Sequence, residues 1–237
     1  MTSKEPKVGF VVAGGGSAFS AALNIASGSL VEAVAITRTA CDAEKKATEC
    51  GIPVHRLEAT SATQFSANLR DFAVANDLLT YVFLFDRLVS REVFDALPCI
   101  NVHPSLLPSF AGKDAVKKCL ESGCLFVGAS AHIIDDSVDG GPILAQTVRP
   151  IPRGMTLDDV NAVSFLQKVL ITLVVLERVR QLYVRNEKFS VNSIISAFAS
   201  DNSYSHSTSP CLLDPQVRSK FADLQNMRGF QVDAVSQ

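Results

Sequence analysis

The strongest chemical signal in the sequence is an asparagine and a histidine placed two residues apart. Asn101 and His103 belong to the apolar run that begins at Cys99, which predicts a strand ending near Val102. Alternate side chains of a strand project to one face, so the two polar groups are predicted to lie together. Open α/β sheets form their sites at the carboxyl ends of such strands. The pair therefore indicates an active site, the alternative being a core histidine bonded to backbone.

A second histidine and an aspartate lie further along the chain. His132 falls within another apolar run, and Asp139 begins the turn Asp139-Gly140-Gly141-Pro142. An aspartate beside a histidine favours the protonated imidazole and fixes its orientation. An ordinary Asp-Gly turn would account for the same residues, so the pattern alone leaves the role of Asp139 open.

A glycine-rich loop near the N-terminus offers a possible anion site. Gly14-Gly15-Gly16-Ser17 follows an apolar run and precedes a helical pattern. Glycines let an anion approach backbone N–H groups closely, and Ser17 could add a hydroxyl donor. The loop has neither the dinucleotide nor the Walker spacing. A tight turn between a strand and a helix is an equally good interpretation.

Predicted strands and helices alternate as far as about residue 102. The predicted strands are Val8 to Val12, Val31 to Ile36, Val54 to Leu57, Thr80 to Phe85 and Cys99 to Val102. The predicted helices are Ala18 to Ala26, Asp42 to Glu49, Ala62 to Ala75 and Ser90 to Ala96. This alternation predicts parallel β-α-β units with helices on both faces of the sheet.

The pattern changes in the second half of the chain. A helix is predicted over Lys113 to Glu121, followed by strands over Phe126 to Ile134 and Ile143 to Val148. Because the connection between those two strands is short and rich in turn residues, they are predicted to be antiparallel. The sequence thus predicts an α/β fold with a mostly parallel sheet and an antiparallel extension.

A long helix is predicted to start at Thr156, whose hydroxyl can cap it. Asp158 and Asp159 in the first turn favour the positive end of the helix dipole. We expect one catalytic domain over residues 1–199, and a polar tail over 200–237 that does not pack.

Composition narrows the classes of partner. The net charge is -2, from 22 basic and 24 acidic residues, so charge gives no case for nucleic acid or an anionic membrane as a partner. No run of about 18 apolar residues and no signal peptide is visible, which predicts a cytoplasmic protein. The six cysteines lack ligand spacing and are expected to be free thiols rather than a metal site.

Three motifs in one order resemble the folate-dependent formyltransferases. They are Asn101 to Pro108, Val127 to His132 and Asp139 to Pro142, and both their order and their spacing match. The similarity is greatest to the glycinamide ribonucleotide formyltransferases of purine synthesis and extends weakly from about residue 7 to about residue 180. The resemblance implies a formyltransferase-type, Rossmann-like three-layer fold. It also implies 10-formyltetrahydrofolate as cosubstrate and no metal.

The resemblance implies a mechanism as well. A substrate amine attacks the formyl carbon, and Asn101 and protonated His103 donate hydrogen bonds to the developing oxyanion. Asp139 supports the charged imidazole and relays protons. Donors aimed at developing negative charge contribute about 3 kcal/mol each.

Binding residues are implied in two groups. The folate group comprises Asn101 and His132 with Asp86, Arg87, Leu88, Val89, Asp135, Asp136, Ser137 and Val138. The group for a small, phosphorylated amine comprises Gly15, Gly16, Ser17, Gln167 and Lys168. The protein is expected to be a monomer or a homodimer.

Four positions depart from the family pattern. Ala18 stands where the family has asparagine and Lys168 where an acid is expected. Ala62 aligns loosely with an arginine that some members use near the folate tail, and Asp86 stands where an apolar residue is usual. The amine is therefore less firmly indicated than formyl transfer. The alternatives are another amine such as an amino sugar nucleotide, a hydrolase that releases formate from formyl-folate, and a catalytically silent folate- or nucleotide-binding protein.

Overall fold

A computed structural model describes residues 5–26, 30–85, 89–199 and 211–229. Its strands are β1 (Lys7–Val12), β2 (Glu32–Thr37), β3 (Val54–Arg56), β4 (Thr80–Leu84), β5 (Cys99–His103), β6 (Phe126–Ile133) and β7 (Ile143–Pro150). Its helices are α1 (Ser17–Ala26), α2 (Asp42–Glu49), α3 (Ala62–Ala75), α4 (Arg91–Phe94), α5 (Ala115–Glu121), α6 (Leu157–Val184), α7 (Val191–Ala199) and α8 (Pro215–Met227).

The strands form one sheet in the order β3-β2-β1-β4-β5-β6-β7. The first five pair in parallel, because a helix returns the chain to the same edge after most strands. Strand β6 pairs antiparallel with β5, and β7 antiparallel with β6. The predicted parallel sheet with an antiparallel extension is confirmed.

Successive residues of β1 belong to different layers of the core. Phe10 packs in the cluster that includes α1 and α6, whereas Val11 packs in the cluster that includes Phe65 and Leu69 of α3. The period-two alternation of a strand produces this division. Both faces of the sheet are therefore covered by helices, which is the expected three-layer fold.

Helix α6 lies in the core against β6 and α1. Thr156 accepts a hydrogen bond from the N–H of Asp159, whose carboxylate bonds back, so the predicted cap is present. In length and composition α6 would suffice to cross a membrane, but 67% of its most apolar window is buried. Such burial is typical of a core helix.

The C-terminal segment differs from the expected tail in the part that the structure describes. Residues 211–229 include α8, whose Val217 and Phe221 are buried. These apolar residues are four apart, so they lie on one face of the helix. The segment is otherwise polar, and its average composition therefore does not show this apolar face. The expectation that nothing after residue 199 packs is therefore wrong for this segment. Residues 200–210 and 230–237 lie outside the described residues, and the domain boundary itself stays a prediction.

Candidate active site

A cavity of about 750 Å³ opens at the carboxyl ends of β1, β4 and β5. Twelve of the predicted site residues line it: Gly15, Gly16, Ser17, Val89, Asn101, His103, His132, Asp135, Ser137, Val138, Asp139 and Lys168. Asp136 and Gln167 do not line it. Asp86, Arg87 and Leu88 lie outside the described residues. Residues that lie as far apart in the sequence as Gly15 and Lys168 thus meet at one edge of the sheet.

Strand pairing brings Asn101 and His132 together. They are register partners on the antiparallel strands β5 and β6, and Asn101 Nδ2 lies 3.1 Å from His132 Nε2. The same amide nitrogen donates to Asp139 Oδ1 at 3.2 Å. The amide side chain is therefore held from two sides.

Asp139 is the centre of the polar cluster. Its Oδ2 accepts a hydrogen bond from the N–H of Gly112 at 2.8 Å and lies 3.3 Å from His103 Nδ1, while His132 Nε2 lies 3.5 Å from Oδ1. The pKa of Asp139 is lowered to about 2, because its contacts with His132 and then with the Gly112 N–H and His103 outweigh its burial. At neutral pH Asp139 is a carboxylate.

His103 is buried between two acceptors. Nδ1 faces Asp139, and Nε2 lies 3.0 Å from the carbonyl oxygen of Phe110. Burial lowers the pKa of His103 below its ordinary value, and this outweighs the Phe110 carbonyl and the Asp139 charge, which raise it. Burial therefore opposes the expected protonation of His103 by Asp139, and the charge of His103 in the reaction stays a prediction.

The loop after β5 contributes to the site and was not predicted from the sequence. Phe110, Gly112 and Asp114 all have positive φ angles, of 58°, 81° and 59°. In this conformation the Phe110 carbonyl and the Gly112 N–H face His103 and Asp139. A single glycine in the loop was the available signal, but glycine alone does not tell where the backbone groups point.

The buried hydroxyl of Ser130 supports the loop after β5 through hydrogen bonds. Ser130 Oγ donates to the Ser105 carbonyl at 2.7 Å and accepts from the N–H of Leu107 at 3.0 Å and from Gln146 Nε2 at 2.9 Å. All the bonding capacity of this hydroxyl is used. Ser130 belongs to a motif noted in the sequence, but its supporting position depends on the pairing of β6 with β5 and β7.

The glycine loop is braced by a lysine that the sequence did not single out. Lys46 Nζ donates to the Gly15 carbonyl at 2.5 Å and to Ser17 Oγ at 2.9 Å. Gly16 has a φ of 57° and lies against Ala43, so a side chain there would have no room. Because Ser17 Oγ accepts from Lys46, its own hydrogen stays free to donate to a ligand.

Of the two neighbours Gln167 and Lys168, only Lys168 lines the cavity. Successive helical residues point about 100° apart, and Gln167 is 3% exposed inside the protein, with its Oε1 unbonded. Burial lowers the pKa of Lys168. Among the described residues, the Lys168 ammonium has no carboxylate partner.

The loop 135–139 lies beside the cavity and is held in place by two of its own aspartates. The N–H and Oγ of Ser137 both donate to Asp135 Oδ1, the N–H at 2.8 Å. Asp136 pairs with Arg91 on the outer surface, and this pairing lowers the pKa of Asp136. Asp135, Ser137 and Val138 therefore face the cavity, while Asp136 fixes the back of the loop.

A metal centre has no candidate within the described ranges, where no group of three or more His, Cys, Asp and Glu side chains is arranged to hold an ion. The chemistry that these residues themselves can perform is hydrogen bonding to an oxyanion and proton transfer. Asn101, His103 and Asp139 supply both functions.

Comparison with known proteins gives a family match over most of the chain. Residues 6–174 match the model of the formyl transferase family. Phosphoribosylglycinamide formyltransferase of Escherichia coli (strain K12) is 31% identical over 124 residues, which are 50% of this chain and 58% of that protein. Formyltetrahydrofolate deformylase of Mycobacterium tuberculosis is 30% identical over 118 residues, which are 48% of this chain and 38% of that protein. The chain thus spans less than two thirds of the curated relatives it matches.

Solved structures extend the likeness to the fold. The crystal structure of glycinamide ribonucleotide transformylase 1 from Symbiobacterium toebii superposes with a TM-score of 0.68 at 26% identity, covering 77% of this chain and 89% of that one. Phosphoribosylglycinamide formyltransferase from Bacillus halodurans gives a TM-score of 0.67 at 22% identity, with coverage of 76% and 97%. At the second identity the likeness concerns the fold alone.

Proposed function

From the premise that the chain belongs to the formyl transferase family, we propose that it transfers the formyl group of 10-formyltetrahydrofolate to the amine of glycinamide ribonucleotide. The observation that carries the proposal is the convergence of Asn101, His103 and Asp139 on the wall of one large cavity. Packing alone gives no reason for a buried imidazole to meet a half-buried amide and carboxylate at the end of a strand.

In the proposed reaction the substrate amine attacks the formyl carbon. The Asn101 amide exchanges one of its hydrogen bonds, to His132 or to Asp139, for one to the oxygen on which negative charge develops. That charge raises the proton affinity of His103. A proton leaves the amine and one is added to N10 of the folate, with Asp139 and His103 as the groups able to carry it. Proton transfer of this kind contributes roughly 100-fold or more to the rate.

The walls of the cavity support an assignment of its two ends. Val89, Ile134 and the loop 135–139 offer apolar surface and backbone groups to a pterin ring. The glycine loop and the N-terminus of α1 offer N–H groups to a phosphate. We assign the first end to the folate and the second to the amine substrate.

Hydrolysis of the formyl-folate is the second candidate. Relatives named formyltetrahydrofolate deformylase match this chain at 30% identity. Ala18 and Lys168 also replace residues expected at the end of the cavity that would bind glycinamide ribonucleotide. In this alternative, water takes the place of the amine at the same three catalytic residues.

A single assay separates the candidates. Purified protein is mixed with 10-formyltetrahydrofolate, or with its 5,8-dideaza analogue, and the deformylated folate is followed by absorbance with and without glycinamide ribonucleotide. Product that requires the ribonucleotide supports the proposal, and product without any amine supports hydrolysis. If no product forms while the folate still binds, transfer to this amine is ruled out. Amino sugar nucleotides would be tested next, and continued silence would indicate a binding protein.

A further inference from the structure

The C-terminal helix lies along α6 and ends near the cavity. The N-terminal end of α8 is held by Glu177, which accepts hydrogen bonds from the N–H groups of Leu213 at 2.7 Å and Asp214 at 2.9 Å. At the other end, the guanidinium carbon of Arg228 lies 4.7 Å from the ring centroid of Phe165. The spans 165–177 on α6 and 214–228 on α8 are each roughly 20 Å long. Helix α8 is therefore antiparallel to α6.

This arrangement places a cation beside the cavity: Arg228 does not line the cavity itself, but it packs on Phe165, which does. Phe165 and Lys168 are three residues apart on α6, so they lie on one face, and both line the cavity. Arg228 packs on Phe165 while staying exposed itself. One positive group thus packs on Phe165, and a second, Lys168, lies on the same face of α6.

Neither cation has a counterion in the part of the chain that the structure describes. The acids that line the cavity are Asp114, Asp135 and Asp139, and none of them pairs with Lys168 or Arg228. By contrast, Arg218 of the same helix donates twice to the Leu212 carbonyl and so has a structural role.

Resting on the proposed function, we propose that α8 completes the amine-substrate end of the cavity, where Arg228 and Lys168 act together with the glycine loop in binding the phosphate of the substrate. Lys168 is half-buried, and a partly desolvated ammonium without a counterion is unfavourable, so an incoming anion relieves that cost. The planar guanidinium, which packs on the ring of Phe165, suits a phosphate or carboxylate that accepts two hydrogen bonds. With Lys168 in place of an acid, this end of the cavity suits a negatively charged group of the substrate better than it suits the hydroxyl groups of the substrate.

Helix α8 lies beyond the part of the chain that matches the family model. The family match ends at residue 174, whereas Arg228 lies 54 positions later. Burial also lowers the pKa of Lys168, which agrees with a site that awaits an anion. A segment outside the family match therefore sets part of the substrate specificity.

The test is calorimetric titration of the full chain with inorganic phosphate, without folate. We expect Arg228→Gln and Lys168→Met each to weaken phosphate binding about tenfold, since each removes one charge-assisted contact. Arg185→Gln is the matched control, because Arg185 is an exposed arginine at the far end of α6, and it should bind phosphate as the unchanged protein does. Unchanged binding in both cavity variants would overturn the proposal.

A second variant separates charge from packing. Arg228→Lys keeps the positive charge, so it should bind phosphate within about threefold of the unchanged protein. If it loses as much affinity as Arg228→Gln, the effect of Arg228 is structural and the proposal fails. Parallel titration with acetate distinguishes the two sources of an oxyanion: tighter binding of phosphate indicates a phosphorylated substrate, and equal binding indicates a carboxylate.

The two proposals can fail separately. If phosphate binding depends on Arg228 but no formyl transfer occurs, the proposed function fails and the anion site stands. If transfer occurs and Arg228→Gln leaves the KM for the amine unchanged, the anion site fails and the proposed function stands.

Discussion

Nδ1 of His103 lies 3.3 Å from Oδ2 of Asp139, although 36 positions separate the two residues in the chain. The other ring nitrogen of His103 faces the Phe110 carbonyl. Both partners are hydrogen-bond acceptors, so a neutral imidazole can satisfy only one of them at a time. The site therefore gains a hydrogen bond whenever negative charge nearby drives protonation of His103.

Replacing His103 by alanine should abolish most of the turnover. We expect kcat to fall roughly 100-fold or more, because both a donor and a proton carrier are lost. Folate binding, measured by fluorescence quenching or calorimetry, should change only a few-fold. His55→Ala is the control, since His55 packs on Phe72 and does not line the cavity. Full activity in His103→Ala would remove this residue from the mechanism.

The titration of His103 should be measurable directly. Burial lowers its pKa, so NMR of the ring protons should give a midpoint below the ordinary value of 6.5. Asp139→Asn should lower the midpoint further, because the carboxylate charge raises the pKa of His103. A midpoint above 6.5 in the unchanged protein, or an upward shift in the variant, would contradict this account.

Asp139 should contribute an acid-sensitive part of the stability. Its pKa is about 2 in the folded protein against an ordinary 3.8, so the stabilisation is present above about pH 4 and is lost as the pH falls towards 2. The shift corresponds to about 2 kcal/mol. Urea unfolding at pH 6 and at pH 2.5 should show a larger loss for the unchanged protein than for Asp139→Asn. Equal losses would show that other groups govern acid unfolding.

Gly16 and Gly15 provide a matched pair within one loop. An alanine at position 16 would have φ 57° and a Cβ 2.6 Å from that of Ala43, whereas at position 15 the nearest atom is Ser17 Oγ at 3.9 Å. We expect Gly16→Ala to lower the free energy of unfolding by about 2 kcal/mol or more and to weaken phosphate binding. Gly15→Ala should be nearly silent in urea unfolding. Similar behaviour of the two variants would argue against this loop geometry.

Glu177 should hold the C-terminal helix in place. Alanine at this position removes the buried acceptor of two N–H groups at the start of α8, which should cost about 2 kcal/mol. Burial raises the pKa of Glu177, so the cost of desolvating its carboxylate offsets part of the stabilisation from these two hydrogen bonds. Hydrogen exchange over residues 211–229 should accelerate, while Glu187→Ala, an exposed neighbour of Arg185, should change nothing measurable. Unchanged exchange in Glu177→Ala would show that α8 docks by other contacts.

The sequence by itself determined the secondary structure of the first 150 residues, the start of α6, and the placement of Asn101 and His103 on one face of a strand. These features follow from local patterns: the period of two in strands, the period of 3.6 in helices, and cap residues such as Thr156. The predicted strands and helices of the first 150 residues differ from the structure only at their ends. Helices α7 and α8 have no counterpart among the predicted elements.

Only the tertiary structure decided which side chains reach the site and in which direction their pKa values shift. The choice of Lys168 over Gln167 depends on how α6 is rotated in the core, and the approach of Arg228 depends on a helix that docks through Glu177. The direction of the pKa shift of His103 is set by burial, which outweighs the effect of the neighbouring Asp139. Each of these is set by groups far apart in the chain, since solvent exclusion and helix orientation come from packing rather than from local sequence.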